Sequence, residues 1–305
     1  MSAVSTVIVT VPATTANLGP GFDCIGAALT LYNEFKFTRL ADGGVTIAVT
    51  GKEAARVETN ESNLGYQAFL KLYEYLGQQP PPVKIEIKLG VPLARGLGSS
   101  ATAIVGGLVG ANMLAGEPLS QLQVMELAIA MVGHPDNVVP ALIGGCRLAA
   151  TGLGVPWEIA EIPWNQKVIP VVAIPDFELS TQEARSVLPT TISRADTIFN
   201  VSHLGLLLRG LETGKGDWLQ AALQDRLHQP YRQALIPGYA DVSAAAMAAG
   251  AYGMVISGAG PTLLALADLL HAADVAVAMQ LAWKKVGIGA EVRSLALDLQ
   301  GAKIS

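Results

Sequence analysis

The stretch Val91-Pro92-Leu93-Ala94-Arg95-Gly96-Leu97-Gly98-Ser99-Ser100-Ala101-Thr102 is the most informative part of the 305-residue sequence. Alternating residues before it predict a strand, and the run of small residues after it predicts a helix to about residue 114. A glycine-rich turn between the two lets the backbone approach a polyanion closely, and the first N–H groups of a helix attract phosphates. The stretch therefore predicts a phosphate-binding loop. A plain glycine-serine turn before a packed helix would show the same pattern.

Two common phosphate-binding patterns do not match this stretch. A P-loop ends in Gly-Lys-Ser/Thr, which is absent here, and Arg95 precedes the glycines. The GxGxxG pattern of dinucleotide-binding folds is missing from the segment as well. A hydroxyl at the helix start is a suitable magnesium ligand, because hard Mg²⁺ prefers oxygen. The loop is thus compatible with nucleotide binding of a different kind.

Two other segments have the composition of binding loops. A second glycine-rich turn, Ser257–Thr262 (SGAGPT), exposes successive backbone amides that can form an anion nest, although an ordinary tight hairpin fits it too. Residues Pro12–Asp23 (PATTANLGPGFD) combine polar side chains with residues that bend the chain. This mixture is typical of a binding loop that follows a strand, here predicted over residues 4–11 and ending at Pro12.

Composition excludes several classes of function. The net charge of −5 and the absence of a Lys/Arg-rich run argue against general nucleic-acid binding. Two cysteines, Cys24 and Cys146, and four scattered histidines provide neither a disulfide framework nor a zinc-ligand pattern. The first residues lack the charged and apolar regions of a signal peptide, so we expect a cytoplasmic protein with a small-molecule partner.

The high mean hydropathy of +0.41 raises a membrane alternative. Residues 96–116 and 242–267 are uncharged and long enough to span a bilayer. Both are built largely from small residues, and the second contains Pro261, whereas membrane spans are usually richer in Leu, Ile and Phe. The two segments therefore predict close-packed interior.

The remaining pattern predicts a mixture of strands and helices without strict alternation, which indicates an α+β fold in two lobes. An irregular stretch at 151–166 is the predicted boundary, and Ser62 is the predicted N-cap of the first helix. Strands are predicted at 4–11, 33–39, 45–50, 84–89, 168–174, 253–257, 262–267 and 289–297, and helices at 63–76, 99–114, 119–131, 196–211, 219–227, 239–248 and 272–286.

The three motifs, in this order and spacing, resemble those of the GHMP kinase superfamily, which includes galactokinase, homoserine kinase and mevalonate kinase. The resemblance runs from about residue 7 to residue 292. Within the superfamily the chain is most similar to the homoserine kinase branch. The stretches that carry this similarity are Asn17–Asp23 (NLGPGFD), His134–Val138 (HPDNV), Ser180–Arg185 (STQEAR) and Gln229–Arg232 (QPYR).

The resemblance implies the two-lobed GHMP kinase fold. A ribosomal-S5-like, ATP-binding N-terminal lobe is expected over residues 1–155 and a ferredoxin-like C-terminal lobe over 160–305, with the active site between them. The implied activity is ATP- and Mg²⁺-dependent phosphorylation of the L-homoserine hydroxyl to O-phosphohomoserine, on the route to threonine. A kinase of the mevalonate or shikimate type and a catalytically silent regulatory relative are the alternatives, and a homodimer is an expectation from relatives.

Carried over position by position, the resemblance implies a role for each of the following residues. Nucleotide binding falls to Pro92, Leu93, Ala94, Arg95, Gly96, Leu97, Gly98, Ser99, Ser100, Ala101 and Thr102, with Gly258 and Gly260. Ser100 and Glu126 match the magnesium-linked positions. Asn17, Asp23, Asn137, Arg185 and Arg232 match the homoserine-binding positions, and Thr181 and Asn137 lie at catalytic positions close to the reacting groups.

The substrate assignment is physically reasonable. A planar guanidinium matches a carboxylate bidentately, so Arg185 and Arg232 suit the carboxylate of an amino acid and Asp23 suits its ammonium. Without the resemblance, both arginines could equally form surface ion pairs. Asn137 stands where other superfamily members place an aspartate, and an amide cannot accept the hydroxyl proton. This predicts phosphoryl transfer by positioning and charge stabilisation, without a dedicated side-chain base.

Overall fold

The computed structural model describes residues 5–151 and 156–305, which form two β-sheets with helices packed on them. The strands are β1 (Thr6–Ala16), β2 (Ile25–Arg39), β3 (Val45–Thr50), β4 (Val83–Lys88), β5 (Cys146–Ala150), β6 (Glu158–Ile162), β7 (Ile169–Pro175), β8 (Gly253–Ile256), β9 (Leu263–Ala267), β10 (Ala290–Ser294) and β11 (Lys303–Ile304). The α-helices are α1 (Leu64–Tyr75), α2 (Ser99–Leu114), α3 (Gln121–Val132), α4 (Val138–Ile143), α5 (Thr181–Ser186), α6 (Arg194–Thr213), α7 (Gly216–Ala222), α8 (Gln229–Arg232), α9 (Tyr239–Ala248) and α10 (Ala272–Lys285).

The first sheet has the strand order β11-β1-β2-β4-β3, and β5 and β6 extend it from the beginning of β2. Helices α1 and α2 cover one face. The helix α2 lies unusually close to β2, because Gly106 and Gly110 have no side chains. A Cβ at these two positions would lie 2.5 Å from the Phe35 ring and 2.3 Å from the Phe37 ring. This close packing fixes the start of α2 relative to the sheet.

The second sheet is antiparallel, in the order β10-β7-β9-β8, and α9 and α10 cover one of its faces. Trp283 of α10 is fully buried there with Val171 and Leu263. A separate apolar cluster joins the two sheets: Val172 and Val255 pack with Ala27 of β2. The two lobes are therefore connected by a continuous core, which fixes the position of any site between them.

The α+β class and the two sheets agree with the sequence interpretation, and several elements match closely. The strand at 45–50 and the helices at 99–114 and 239–248 have the predicted bounds. The segment 96–116, considered above as a membrane span, contains the buried helix α2. None of the described helices combines the length and hydropathy needed to cross a membrane.

Other predicted elements were wrong in detail. The first strand does not end at Pro12, because β1 shifts its register against β2 between Pro12 and Ala13 and continues to Ala16; residue 4 lies outside the described part. Asn63, not Ser62, is the N-cap of α1, since its side chain accepts a hydrogen bond from the N–H of Tyr66. The helix predicted at 219–227 ends at Ala222.

The predicted lobe boundary is less simple in the structure. Part of the stretch 151–166, expected to be irregular, forms β6, which pairs with β5; residues 152–155 lie outside the described part of the chain. Both β6 and the terminal strand β11 belong to the first sheet, although both lie after residue 155, where the first lobe was predicted to end. The chain therefore returns to its first sheet at the end, and the limits 1–155 and 160–305 stay a prediction.

Candidate active site

A cleft of about 690 Å³ lies between the lobes, next to the start of α2. Segments that are far apart in the sequence line it: the entrance to α1, the end of β4, the loop before α2, the segment between α3 and α4, and the start of α5. From the predicted nucleotide loop, the lining residues are Leu93, Ala94, Arg95, Gly96, Gly98, Ser99, Ser100 and Ala101. The sequence motif and the cleft thus coincide.

The start of α2 is open toward this cleft. Its N-cap, Gly98, has φ +67° and no side chain to bond to the first N–H groups of the helix. A Cβ at this position would lie 1.9 Å from Thr14 Oγ1, so only glycine fits. Uncapped N–H groups at a helix start carry positive partial charge. The geometry suits a phosphate group.

The two glycine-rich turns pack against each other. Ser257 Oγ donates a hydrogen bond to the carbonyl of Gly96 (2.7 Å), and a Cβ on Gly96 would lie 2.2 Å from the Ser257 carbonyl oxygen. Gly258 and Ala259 line the cleft, whereas Gly260 is not among the lining residues. The second turn therefore supports the first one. The nucleotide contacts expected for Gly258 and Gly260 stay a prediction.

The guanidinium of Arg95 is occupied by contacts within the protein. It donates to the backbone carbonyls of Pro175 (3.0 Å), Leu93 (2.8 Å) and Asp176 (3.1 Å), and it lies 3.2 Å from Glu178. The side chain is almost buried. These contacts fasten the glycine-rich loop to the end of β7, so the charge of Arg95 is used mainly within the protein.

The loop after β1 is held in an uncommon backbone conformation. Asn17, Leu18 and Asp23 all have positive φ, at 73°, 47° and 57°. Such strain in non-glycine residues is concentrated at functional sites. The Asn17 side chain stabilises it by accepting from the Asp23 N–H (3.0 Å) and donating to the Gly258 carbonyl (2.7 Å). Asn17 thereby joins the predicted substrate loop to the rim of the cleft.

The predicted substrate residues lie together beside the cleft. Arg185 makes a bidentate pair with Asp23, and this hydrogen bonding raises the pKa of Arg185. Arg232 is buried and donates to the carbonyl of Gly258 (3.1 Å). The ring of Phe22 lies under both guanidinium groups, with its centroid 5.8 Å from Arg185 and 5.1 Å from Arg232. Phe22 was not singled out from the sequence, although it lies inside the first motif.

Asn137 is oriented by its neighbours. Its Oδ1 accepts the hydroxyl of Thr14 (2.7 Å), and its Nδ2 donates to the buried carboxylate of Asp136 (3.3 Å). Asp136 also binds Nδ1 of His134, which raises the pKa of that imidazole. His134 and Asn137 both line the cleft. The sequence interpretation assigned no chemistry to His134, whereas the structure places its ring at the cleft.

Thr181 and Ser180 also line the cleft, where α5 begins. Ser180 is the N-cap of this helix and accepts the N–H of Glu183 (3.1 Å), which leaves the exposed Thr181 side chain at the cleft surface. This position is compatible with the predicted role near the reacting groups.

The two predicted magnesium ligands, Ser100 and Glu126, do not both line the cleft. Ser100 is exposed at the start of α2 and lines the cleft, whereas Glu126 lies on the exposed side of α3 and is not among the lining residues. Ligand atoms of Asp23, His134 and Asp136 lie within 4.8 Å of one another. Arg185 already neutralises Asp23, and His134 binds Asp136, so both carboxylates of this cluster have partners within the protein.

Comparisons with known proteins agree with this arrangement. Two family models match, the GHMP kinases N terminal domain at residues 63–145 and the GHMP kinases C terminal at residues 207–285. Homoserine kinase of Microchaete diplosiphon is 77% identical over 302 residues, which cover 99% of this chain and 98% of that protein. Homoserine kinase of Trichormus variabilis is 74% identical, with 99% of this chain and 100% of that protein covered.

Solved structures show the same fold. The crystal structure of homoserine kinase from Cytophaga hutchinsonii superposes with a TM-score of 0.90 at 30% identity, covering 100% of this chain and 99% of that one. The mevalonate kinase of L. major, in complex with R-mevalonate, gives a TM-score of 0.71 at 14% identity, covering 95% of each chain, and this shows the fold alone. With full-length relatives at this identity, the chain belongs to the homoserine kinase family of the GHMP kinases.

Proposed function

We propose that the chain transfers the γ-phosphoryl group of ATP to the side-chain hydroxyl of L-homoserine, giving O-phosphohomoserine and ADP. One observation carries the proposal. Gly258 lines the cleft that contains the open start of α2, and its carbonyl accepts hydrogen bonds from both Asn17 and Arg232. The predicted phosphate site and the predicted amino-acid site are thus joined at one residue.

The charges beside the cleft favour an amino-acid substrate. Asp23 and Arg185 neutralise each other, His134 lies within 4.8 Å of Asp23, and Arg232 lies over the same Phe22 ring as Arg185. A zwitterion offers an ammonium to Asp23 and a carboxylate to Arg185 and Arg232, so it can replace the contact that each partner loses. Mevalonate has a carboxylate but no ammonium, and a neutral sugar has neither. Either ligand would leave Asp23 with a weaker partner.

Phosphoryl transfer at this site proceeds without a dedicated side-chain base. The Asn137 amide oxygen accepts from Thr14 and one amide N–H donates to Asp136, and an amide has no basic lone pair to take the hydroxyl proton. Catalysis then depends on holding the hydroxyl in line with the γ-phosphorus and on stabilising the developing charge. Thr181 and Asn137 both line the cleft, and in this proposal they contact the reacting groups.

Mg²⁺ would enter with the nucleotide in this proposal and would neutralise charge on the phosphates. Ser100 fits such an ion, since its hydroxyl lies at the cleft beside the open helix start. Glu126 is proposed as the second protein ligand on the family pattern; in this structure its carboxylate is exposed on α3 outside the cleft lining. Magnesium usually keeps several waters and phosphate oxygens, so few protein ligands are needed.

A coupled ADP-release assay tests the proposal. Homoserine, serine, mevalonate, shikimate and galactose would be offered at equal concentration with ATP and magnesium, and the phosphorylated product would be identified by ³¹P NMR. We expect turnover with homoserine well above the other alcohols. Preferential turnover of mevalonate or shikimate would replace homoserine with that substrate. ATP binding without turnover of any alcohol would favour a silent relative.

A further inference from the structure

His228 is a fully buried residue that connects the two halves of the proposed amino-acid site. Its backbone lies immediately before α8, and its ring stacks on Phe22 with centroids 4.9 Å apart. One ring nitrogen, Nε2, lies 2.9 Å from the carbonyl of Gly19, in the loop that carries Asp23. The other, Nδ1, lies 3.3 Å from Nη1 of Arg232.

These two partners fix the protonation of the ring, and the Asp225 carboxylate, which can only accept, lies 3.5 Å from Nε2 on the same side as the Gly19 carbonyl. A carbonyl oxygen can only accept, so Nε2 must carry a proton and donate to Gly19. A guanidinium can only donate, so Nδ1 must be unprotonated and accept from Arg232. Both contacts are satisfied by the neutral Nε2–H tautomer alone. Asp225 holds the backbone of the turn by accepting the N–H groups of His228 (2.9 Å) and Gln229 (2.7 Å).

One edge of the Arg232 guanidinium is available to a ligand. A guanidinium has five N–H donors. In Arg232, Nε donates to the carbonyl of Ala184 (3.0 Å), and Nη1 donates to His228 Nδ1 and to the carbonyl of Gly258 (3.1 Å). Within residues 5–151 and 156–305, the Nη2 group has no recorded partner. Burial lowers the pKa of Arg232 to about 10, which still leaves the group charged at neutral pH.

We propose that His228 is a positioning residue for the amino-acid substrate: as the neutral Nε2–H tautomer it holds Arg232 so that Nη2 faces the substrate carboxylate. The proposal rests on the proposed function, because it takes the carboxylate of homoserine as the ligand of Arg232. His228 acts through Arg232 and through the Gly19 loop. It does not contact the substrate itself.

The charged surroundings give this arrangement a pH dependence. Burial lowers the pKa of His228; Asp225 and Asp23 oppose the shift, and Arg232 adds to it, while Arg185 lies on the same Phe22 ring. Protonation of Nδ1 would remove the acceptor for Arg232 and place a second cation beside it. Since the pKa of His228 lies below the ordinary 6.5, His228 should add no pH dependence to homoserine binding above that pH and should weaken the binding as the pH falls below it. His134, whose pKa is raised and which lies beside Asp23, titrates above that range, so the contribution of His228 is the fall below pH 6.5.

Two variants separate the two contacts of the ring. His228→Asn puts an amide oxygen near the Nδ1 position and can still accept from Arg232. His228→Gln puts its amide near Nε2 and can donate to Gly19, with no acceptor beside Arg232. We expect His228→Gln to raise the homoserine KM about tenfold, as for one lost hydrogen bond to a charged group, and His228→Asn to change it much less. The ATP KM should stay unchanged in both, and in the exposed control His271→Gln.

Equal KM values in the two variants, or a normal KM in His228→Gln, would overturn the proposal, provided that circular dichroism shows both to be folded. The ring is also tested in the wild-type protein, by ¹⁵N shifts of labelled histidine. We expect the neutral Nε2–H pattern at pH 7 for His228, which is one of the four histidines. An Nδ1–H or charged ring at His228 would overturn the proposal even if the variants do not fold. Absence of homoserine turnover in the wild type would instead count against the proposed function.

Discussion

Asp23 and Arg185 form a bidentate ion pair, with Nη1–Oδ2 at 2.9 Å and Nη2–Oδ1 at 2.8 Å, although 162 residues separate them in the sequence. Asp23 follows β1 and β11 returns beside that strand, whereas Arg185 belongs to α5 after the first strand of the second sheet. Both side chains remain about one third exposed. Such a pair contributes only about 1 kcal/mol or less to stability. In this pair one carboxylate accepts two hydrogen bonds from one guanidinium. The carboxylate of an amino acid would bind a guanidinium in the same geometry.

The first prediction concerns the two arginines of this site. Arg185→Ala and Arg232→Ala should each raise the homoserine KM and lower kcat, because a loosely held hydroxyl is misplaced for in-line attack. A lost charge-assisted hydrogen bond is worth about 1.5–3 kcal/mol, so kcat/KM should fall roughly ten- to a hundredfold in each variant. Steady-state kinetics with homoserine and ATP varied in turn would measure both constants.

The ATP KM should move little in either arginine variant, and the double variant should lose less than the sum, since both groups would hold one carboxylate. Arg209→Ala, which removes an exposed arginine on α6, is the matched control and should behave like the wild type. Normal homoserine kinetics in both site variants would show that these arginines are structural. The choice of homoserine over other alcohols would then lose its main physical support.

Sequence patterns predicted the elements whose causes are local. The run of small residues after Gly98 defines α2 to the residue, and the three motifs lie where they can surround one cleft. The helix predicted at 219–227 failed because the side chain of Asp225 bonds to the N–H groups of residues 227–229, which stabilises a turn in place of helix. Periodicity alone does not reveal such competition.

Tertiary partners explain the rest of the difference. From the sequence, Arg95 is a plausible phosphate ligand because it is a cation beside a glycine-rich turn. In the structure its N–H groups donate to backbone carbonyls about 80 residues away, at the end of β7. His228 and Phe22 acquire their roles only when α8 and the loop after β1 meet. Which polar groups the protein uses internally, and which it leaves for a ligand, depends on these long-range contacts.

A second prediction concerns magnesium. Removal of a carboxylate ligand weakens the binding of Mg²⁺. Glu126→Gln should therefore lower turnover and shift the magnesium dependence of the rate to higher concentration. Ser100→Ala should do the same through the hydroxyl at the cleft. Glu74→Gln, at an exposed glutamate of α1, is the control. A folded Glu126→Gln protein with normal turnover and normal magnesium dependence would remove Glu126 from the metal site, which its exposed position outside the cleft lining makes a sharp test.

A third prediction follows from His134 and Asp136. The hydrogen bond to Asp136 raises the pKa of His134 above its ordinary 6.5, so the pair stabilises the folded protein fully below that pH. The contribution is lost as the pH rises through the folded-state pKa. Thermal unfolding followed by circular dichroism across neutral pH should show this fall in the wild type. In His134→Gln the fall should be absent, and in His271→Gln it should persist; an unchanged slope in His134→Gln would contradict the assignment.

The last prediction tests the open start of α2, with two glycines that differ only in their surroundings. Gly77 and Gly98 have similar positive φ, 64° and 67°, but a Cβ at Gly77 meets nothing within 4 Å, whereas one at Gly98 lies 1.9 Å from Thr14 Oγ1. Gly77→Ala should therefore cost only the left-handed strain, about 1–2 kcal/mol in the free energy of unfolding. Gly98→Ala should cost more, and it should also weaken ATP binding in calorimetry, because a Cβ blocks the close approach of phosphate.

Thr14→Ala in the Gly98→Ala background separates these two effects. It removes the hydroxyl that clashes, so stability should be partly regained, while the added Cβ still stands at the phosphate site. ATP affinity should therefore remain low in the double variant. Recovery of ATP binding together with stability would mean that the clash with Thr14, and not the phosphate approach, accounts for the glycine. Wild-type ATP affinity in a folded Gly98→Ala protein would place the nucleotide elsewhere, and the assignment of residues 92–102 to the triphosphate would be wrong.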